Sequence, residues 1–246
     1  MGDGLLAEST LYFGTASILA VATVVFGVLG LRESGYRRFM LVLGAVPAGA
    51  MAVAYVLMGT GSFTVTVTAA EREQSVARFF AYTAVLLIVP FVLRELVGLS
   101  KRQYAFVTAF LLLMPWLALV SWLVEGVAST AASAGAIVAY LLAGYLLYGP
   151  YARIAREASG QRQLLYIKIC HLAILCYGAL ILTSGLSEQA AGILDFFVGQ
   201  FVASFADVVF MLAFGGLLYY SRTVFHRPAG DGSDEQHVIE SSESRS

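Results

Sequence analysis

Long apolar runs separated by short polar connections dominate residues 11–225. Each run is about 20 residues long, which is the length that an α-helix needs to cross the hydrocarbon core of a bilayer. The seven runs cover residues 11–31, 39–59, 76–97, 104–124, 131–150, 164–185 and 196–220. This pattern predicts an all-α membrane domain at residues 11–225, built as a bundle of seven transmembrane helices.

Two segments depart from the helical pattern. The stretch GSFTVTVTAAE at residues 61–71 alternates polar and apolar positions, and this period of two is typical of strands. It predicts a small β-hairpin between the second and third helices. The stretch at residues 226–246 is polar and rich in Ser, Asp and Glu, which predicts a disordered tail.

Composition supports a membrane location. The chain is 59% hydrophobic and 13% charged, with a mean hydropathy of +0.79, whereas soluble domains are about 25% charged. We therefore expect a multi-pass protein of the cell membrane that is surrounded by lipid and has no nucleic-acid partner. In the predicted spans we find no paired carboxylates, nucleophile–base set or metal-ligand spacing, so no enzyme activity and no metal site are predicted.

The distribution of charge predicts the orientation of the bundle. The connections after spans one, three and five, together with the C-terminal end, carry ten basic residues, whereas the opposite side carries Arg72 and seven acids. Because basic residues concentrate on the cytoplasmic side, residues 1–10 are predicted to form an extracellular N-terminus, and residues 226–246 a cytoplasmic tail.

Two charged residues fall inside predicted spans. Arg78 lies in the outer part of the third span, and Asp207 lies near the middle of the seventh, four residues before Met211. Each such charge costs about 2.5–3.5 kcal/mol on insertion scales, and pairing lowers that cost. We expect Arg78 and Asp207 to approach each other, directly or through water. In the alternative, Arg78 extends alone to the outer surface and Asp207 is protonated.

Four segments resemble the microbial rhodopsins, most closely the haloarchaeal sensory rhodopsin and bacteriorhodopsin group. Residues 35–61 resemble the second helix of that family, with Pro47 and Tyr55 in place, and residues 77–102 resemble the third. Residues 146–168 resemble the connection from the fifth to the sixth helix, and residues 205–222 the seventh helix. The resemblance implies a seven-helix bundle around a retinal, which a lysine on helix seven binds as a Schiff base.

The resemblance also implies that the retinal chemistry is lost. The family lysine follows the helix-seven aspartate by four residues, a position that is Met211 here. The principal counter-ion position is Ala81, the inner proton-donor position is Val92, and a retinal-flanking tryptophan is replaced by Tyr82. Asp207 is then the remaining half of a counter-ion complex whose cation is absent.

The ring-flanking positions of helix six also depart from the family. The resemblance assigns four positions there as pocket-lining candidates, namely Leu175, Gly178, Ala179 and Leu182. The chain contains two lysines, Lys101 and Lys168, and neither is expected to reach the centre of the bundle. No covalent cofactor is therefore expected.

Three functional interpretations remain open at this stage. The first is an opsin-like protein without covalent retinal, with a sensory or regulatory role through a membrane partner or a second copy. For that role, the small residues at 131–135 would allow close helix contact, and internal packing explains them equally well. The second is a non-covalent binder of retinal or another apolar ligand, and the third is a light-driven pump or photoreceptor of the family type. Acidic outer loops, thirteen arginines and two lysines, with the resemblance, suggest a haloarchaeal membrane.

Overall fold

Seven long helices form the protein, as the apolar pattern predicts. The computed structural model of the chain describes residues 2–67, 72–186 and 192–225. In this part of the chain, seven helices are long and apolar enough to cross a membrane. They are α1 (Gly2–Leu31), α2 (Gly35–Gly59), α3 (Ala77–Val97), α4 (Lys101–Leu123), α5 (Gly126–Tyr148), α7 (Gly160–Leu186) and α8 (Phe196–Tyr220). A short helix, α6 (Pro150–Glu157), follows α5, and a 3₁₀ turn (Arg222–Phe225) follows α8.

The predicted hairpin is present between α2 and α3. Strands β1 (Thr64–Val67) and β2 (Arg72–Ser75) pair antiparallel, with Thr64 opposite Ser75 and Val67 opposite Arg72. The second strand begins one residue beyond the segment whose alternation predicted it. The predicted disordered tail at residues 226–246 lies outside the described residues.

Local signals set the boundary between α3 and α4. Gly98 ends α3 in the left-handed conformation (φ 73°), and its N–H bonds the carbonyl of Arg94 at 2.8 Å. Ser100 then begins α4 with a reciprocal cap, in which its hydroxyl accepts from the Gln103 N–H and the Gln103 side chain accepts from the Ser100 N–H. The connection is short, so α3 and α4 run antiparallel as neighbours.

Helix α3 is, with α2, the most buried of the seven long helices. It contacts α2, α4 and α7, while α8 contacts α7, α1 and α2 and so closes the ring. The core between them contains large, fully buried side chains, among them Tyr55, Leu86, Leu93, Tyr166 and Phe214. This arrangement places the second residue of α3 and the middle of α8 on facing surfaces.

Candidate functional site

Arg78 and Asp207 meet in the half of the bundle next to the β1–β2 hairpin. Arg78 is in the first turn of α3, and Asp207 is half-way along α8 with 2% of its surface exposed. The Arg78 Nε lies 3.4 Å from the Asp207 Oδ2, so the structure brings the two charges into a direct ion pair. Both side chains are withdrawn from the surface, which makes the pair mutually dependent because either charge alone would be buried without compensation.

Two tyrosines donate hydrogen bonds to the Asp207 carboxylate. The Tyr55 hydroxyl, from α2, donates to Oδ2 at 2.7 Å, and the Tyr82 hydroxyl, from α3, donates to Oδ1 at 2.9 Å. Each carboxylate oxygen therefore accepts one phenolic hydrogen bond in addition to the attraction of the guanidinium. Charge-assisted bonds of this kind are among the stronger ones in proteins.

The guanidinium of Arg78 is anchored by polar groups from two helices. Its Nη2 donates to the Tyr55 hydroxyl at 2.7 Å and contacts the Ser204 Oγ at 3.5 Å, while its Nη1 donates to the Gln200 Oε1 at 3.1 Å. Gln200 and Ser204 are both buried. The cluster of Tyr55, Arg78, Tyr82, Gln200, Ser204 and Asp207 is called the polar cluster below.

Sequence reasoning missed the roles of Gln200 and Ser204, although a signal was present. With Asp207 they fall at positions i, i+4 and i+7 of an otherwise apolar segment, which places all three on one face of α8. A polar face of this kind within a span marks the side of a helix that turns away from lipid.

Met211 and Ala81 lie next to the polar cluster and are apolar. Met211 follows Asp207 by one turn of α8, is 1% exposed, and belongs to the main hydrophobic core. Ala81 is also buried in that core, one residue before Tyr82. Neither position offers a charge or an amine to the centre of the bundle.

An aromatic column fills the space on the inner side of the polar cluster. The ring of Tyr82 contacts that of Tyr177 from α7, with centroids 6.0 Å apart. Tyr177 contacts Phe210 at 5.5 Å, and Phe210 stacks on Phe214 at 6.0 Å. Side chains from three helices therefore occupy the middle of the bundle.

The predicted assignment of Leu175 and Leu182 to the pocket lining is wrong. These side chains are 69% and 67% exposed, so they lie on the outer surface of α7. The inward position is Tyr177, which is 3% exposed. At about 100° per residue, Leu175 points roughly opposite to Tyr177, and Leu182, seven residues on, returns to nearly the same outer face as Leu175.

Gly178 and Ala179 do not line a central pocket as predicted either. A Cβ on Gly178 would lie 2.6 Å from the hydroxyl of Tyr140 on α5, and that hydroxyl donates to the Ile174 carbonyl at 2.8 Å. Gly178 thus gives room to a tyrosine of the neighbouring helix. Ala179 is half-buried, and its carbonyl accepts the hydroxyl of Thr183 at 2.8 Å.

Both lysines lie away from the centre. Lys101 is exposed at the first residue of α4, and Lys168 is exposed on α7. Within the described residues no group of three His, Cys, Asp or Glu side chains could hold a metal ion. The interior of this part of the chain therefore presents a hydrogen-bonded ion pair and aromatic rings, but no primary amine.

Comparison with known proteins identifies the fold. No protein-family model matches the chain, and neither does any curated protein. Solved structures of rhodopsins are similar to it. The thermophilic rhodopsin from Rubrobacter xylanophilus matches with a TM-score of 0.81 and 20% identity, over 89% of this chain and 97% of that one.

Rhodopsins of diverse function share this similarity. The light-driven proton pump from Coccomyxa subellipsoidea has a TM-score of 0.80 at 16% identity, over 87% of this chain and 96% of its own. The transmembrane domain of the Salpingoeca rosetta rhodopsin phosphodiesterase has 0.75 at 14% identity, over 88% and 84%. The chain therefore has the seven-helix fold of the microbial rhodopsins and is a multi-pass membrane protein. The haloarchaeal subgroup stays a prediction.

Proposed function

We propose that this chain, which has the rhodopsin fold, is an opsin-like membrane protein that forms no Schiff base with retinal. In this proposal Met211 stands where the rhodopsin lysine would be, and Ala81 where the principal counter-ion would be. Light-driven pumping and photoreception through a covalent retinal are then absent. The protein instead acts through its outer surface on a membrane partner or on a second copy of itself.

The hydrogen bond from Tyr82 to Asp207 is the observation that carries this proposal. In a pigment, the carboxylate on helix seven faces a protonated Schiff base. Here its two oxygens are engaged by the hydroxyls of Tyr55 and Tyr82, and Arg78 supplies the compensating charge. The aromatic column lies beside this cluster, and the side chains present do not fit a retinal bound through a lysine because no amine is within the core of the described residues.

Exposed small residues support a role at the surface. Ala131 and Ala134 are exposed on neighbouring positions of one face of α5, and small side chains there leave room for another helix. Ala132 instead is buried, and Gly135 packs against Leu117 of α4, so these two serve the internal packing. We also propose that the chain has no enzymatic activity, because the buried polar groups of the described residues form no nucleophile–base set.

The test is reconstitution with all-trans retinal. The full chain is expressed, incubated with retinal and purified, and its visible spectrum is recorded before and after borohydride reduction. We expect no absorption band beyond that of free retinal and no reduced adduct. A variant with both Lys101→Arg and Lys168→Arg is the matched control, because it retains both positive charges but contains no lysine.

Each other outcome assigns a different function. A covalent adduct that disappears in the lysine-free control would overturn the proposal, since a surface lysine would then reach retinal. A band that survives purification and leaves no reduced adduct would favour the non-covalent binder of apolar ligands. A light-induced pH change in vesicles that contain the protein would support a light-driven pump instead.

A further inference from the structure

An apolar groove with a cationic end lies on the outer surface of the bundle between α7 and α8. Its volume is about 520 Å³. The polar residues among its lining are Lys168, His171 and Tyr220, and the remaining lining is apolar. Tyr220 is at the last residue of α8 and is 80% exposed. Tyrosine at the end of a span is typical of the membrane–water interface, so this end of the groove lies at the headgroup level.

No acid neutralises the cationic end of the groove. Lys168 is exposed and has no hydrogen-bond or ion-pair partner among the described residues. Helix α7 contains no Asp or Glu, and the single acid of α8, Asp207, is buried in the polar cluster. The charge of Lys168 therefore faces the membrane without a counter-charge from its own helix or from the helix packed beside it.

His171 adds a second polar group one turn further along. It is exposed, and its Nδ1 lies 2.8 Å from the carbonyl oxygen of Ile167. Because a carbonyl oxygen only accepts, Nδ1 carries the proton of this bond. The Nε2 of the neutral ring then carries a lone pair, so His171 borders the groove as a polar ring and the cation of the groove is Lys168.

Lys168 lies at a depth in the membrane from which its side chain can reach the lipid headgroups. It lies eight residues after the start of α7, which is about 12 Å along the helix axis. The apolar run of the sequence begins at residue 164, so Lys168 is about 6 Å inside that run. A lysine at this depth extends its ammonium towards the headgroups while its methylenes stay among acyl chains.

We propose that this groove binds an anionic phospholipid of the leaflet next to the 3₁₀ turn Arg222–Phe225, which the predicted orientation makes the cytoplasmic one. The phosphate lies next to the Lys168 ammonium, and one acyl chain follows the apolar floor past Gly216. The Lys168 ammonium attracts an anion, and the apolar floor favours a hydrocarbon chain. The groove therefore suits an amphipathic anion. This inference is independent of the proposed function, since it holds with or without retinal.

The groove floor offers a way to block the acyl chain without removing charge. A Cβ on Gly216 would contact nothing within 4 Å, so a side chain there projects into open space. Gly216→Leu therefore fills the groove while Lys168 and His171 stay in place.

The test is a lipid titration of the purified full chain in neutral detergent, followed by native mass spectrometry. The probes are dioleoyl phosphatidylglycerol and dioleoyl phosphatidylcholine, which share acyl chains and differ in charge. We expect the first phosphatidylglycerol to bind more tightly than phosphatidylcholine, and Lys168→Gln to weaken it about fivefold, the contribution of one cation near a membrane surface. Lys168→Arg should retain the binding.

Lys101→Gln is the matched control, because Lys101 is the second lysine of the chain and lies outside the groove. It should change the affinity for the first lipid by less than twofold, and Gly216→Leu should weaken that affinity with every charge intact. The proposal is overturned if Lys168→Gln binds phosphatidylglycerol as the wild type does, or if soluble glycerol phosphate competes with full strength, which would indicate a simple anion site. A dimer that Lys168→Gln abolishes would assign the groove to a second copy instead.

Discussion

Tyr82 donates a hydrogen bond of 2.9 Å to Asp207, from the second turn of α3 to the middle of α8. This bond gives the carboxylate a phenolic partner on the oxygen that Tyr55 does not bind. It explains how a buried acid persists beside Met211, where no cation follows it on its own helix. The consequences of this bond can be tested by substitution.

The first prediction compares Tyr82→Phe with Tyr177→Phe. The Tyr82 hydroxyl bonds a buried carboxylate, whereas the buried hydroxyl of Tyr177 has no hydrogen-bond partner among the described residues. Tyr82→Phe should therefore lower the free energy of unfolding by about 1.5–3 kcal/mol, and Tyr177→Phe should leave it unchanged or raise it. Unfolding in mixed detergent measures both. Equal losses in the two variants would mean that Tyr177 also has a polar partner.

The second prediction concerns the ion pair. Arg78→Gln and Asp207→Asn should each lower the free energy of unfolding by about 3–5 kcal/mol, because each leaves the other charge buried alone. The double variant, which combines Arg78→Gln with Asp207→Asn, should lower the free energy of unfolding by clearly less than the sum of the two single effects. Additive losses would show that the charges do not interact.

A surface ion pair provides the control for that cycle. Arg37 lies 2.9 Å from Glu33 in a half-exposed position. Solvent screens such a pair, so Arg37→Gln should change the free energy of unfolding by no more than about 1 kcal/mol. Glu33 also pairs with Arg222 at 3.3 Å and so keeps a cation in this variant, whereas Arg78→Gln leaves Asp207 buried without one.

The third prediction is that Met211→Lys alone yields little pigment with all-trans retinal. Both oxygens of Asp207 already accept hydrogen bonds, and Ala81 supplies no second carboxylate for a protonated Schiff base. Adding Ala81→Asp to Met211→Lys should increase the yield. Visible spectra and bleaching by hydroxylamine in the dark measure the result, and a stable, strongly red-shifted pigment from the single variant would contradict it.

The fourth prediction tests the close approach at Gly178. Gly178→Ala would place a Cβ 2.6 Å from the Tyr140 hydroxyl and disturb its bond to Ile174, so we expect a loss of about 1 kcal/mol in the free energy of unfolding. Gly216→Ala meets no atom within 4 Å and should gain about 0.5–1 kcal/mol from helix propensity. We therefore expect the free energy of unfolding to fall in Gly178→Ala and to rise in Gly216→Ala, measured by the same unfolding assay.

The polar cluster was predictable only in part. Arg78 and Asp207 stand out because a charge within an apolar run is rare and costly, and that cost makes pairing the expected solution. Gln200 and Ser204 were detectable from their helical spacing with Asp207. The bond from Tyr82 was not, because a tyrosine near the centre of a span is compatible with packing alone.

Hydropathy along the chain was enough to predict the seven spans and their order, and alternation was enough to predict the hairpin between α2 and α3. These features depend on hydropathy and alternation along the chain, which are local properties. The polar positions of α8 mark its inner face in the sequence, but the inner faces of helices without such positions, α7 among them, depend on tertiary packing. In a membrane helix both the lipid-facing and the core-facing sides are apolar, so periodicity does not mark the inner side. Leu175 and Tyr177 are both suited to either environment, and only packing against α3 and α8 directs Tyr177 to the centre and Leu175 to lipid.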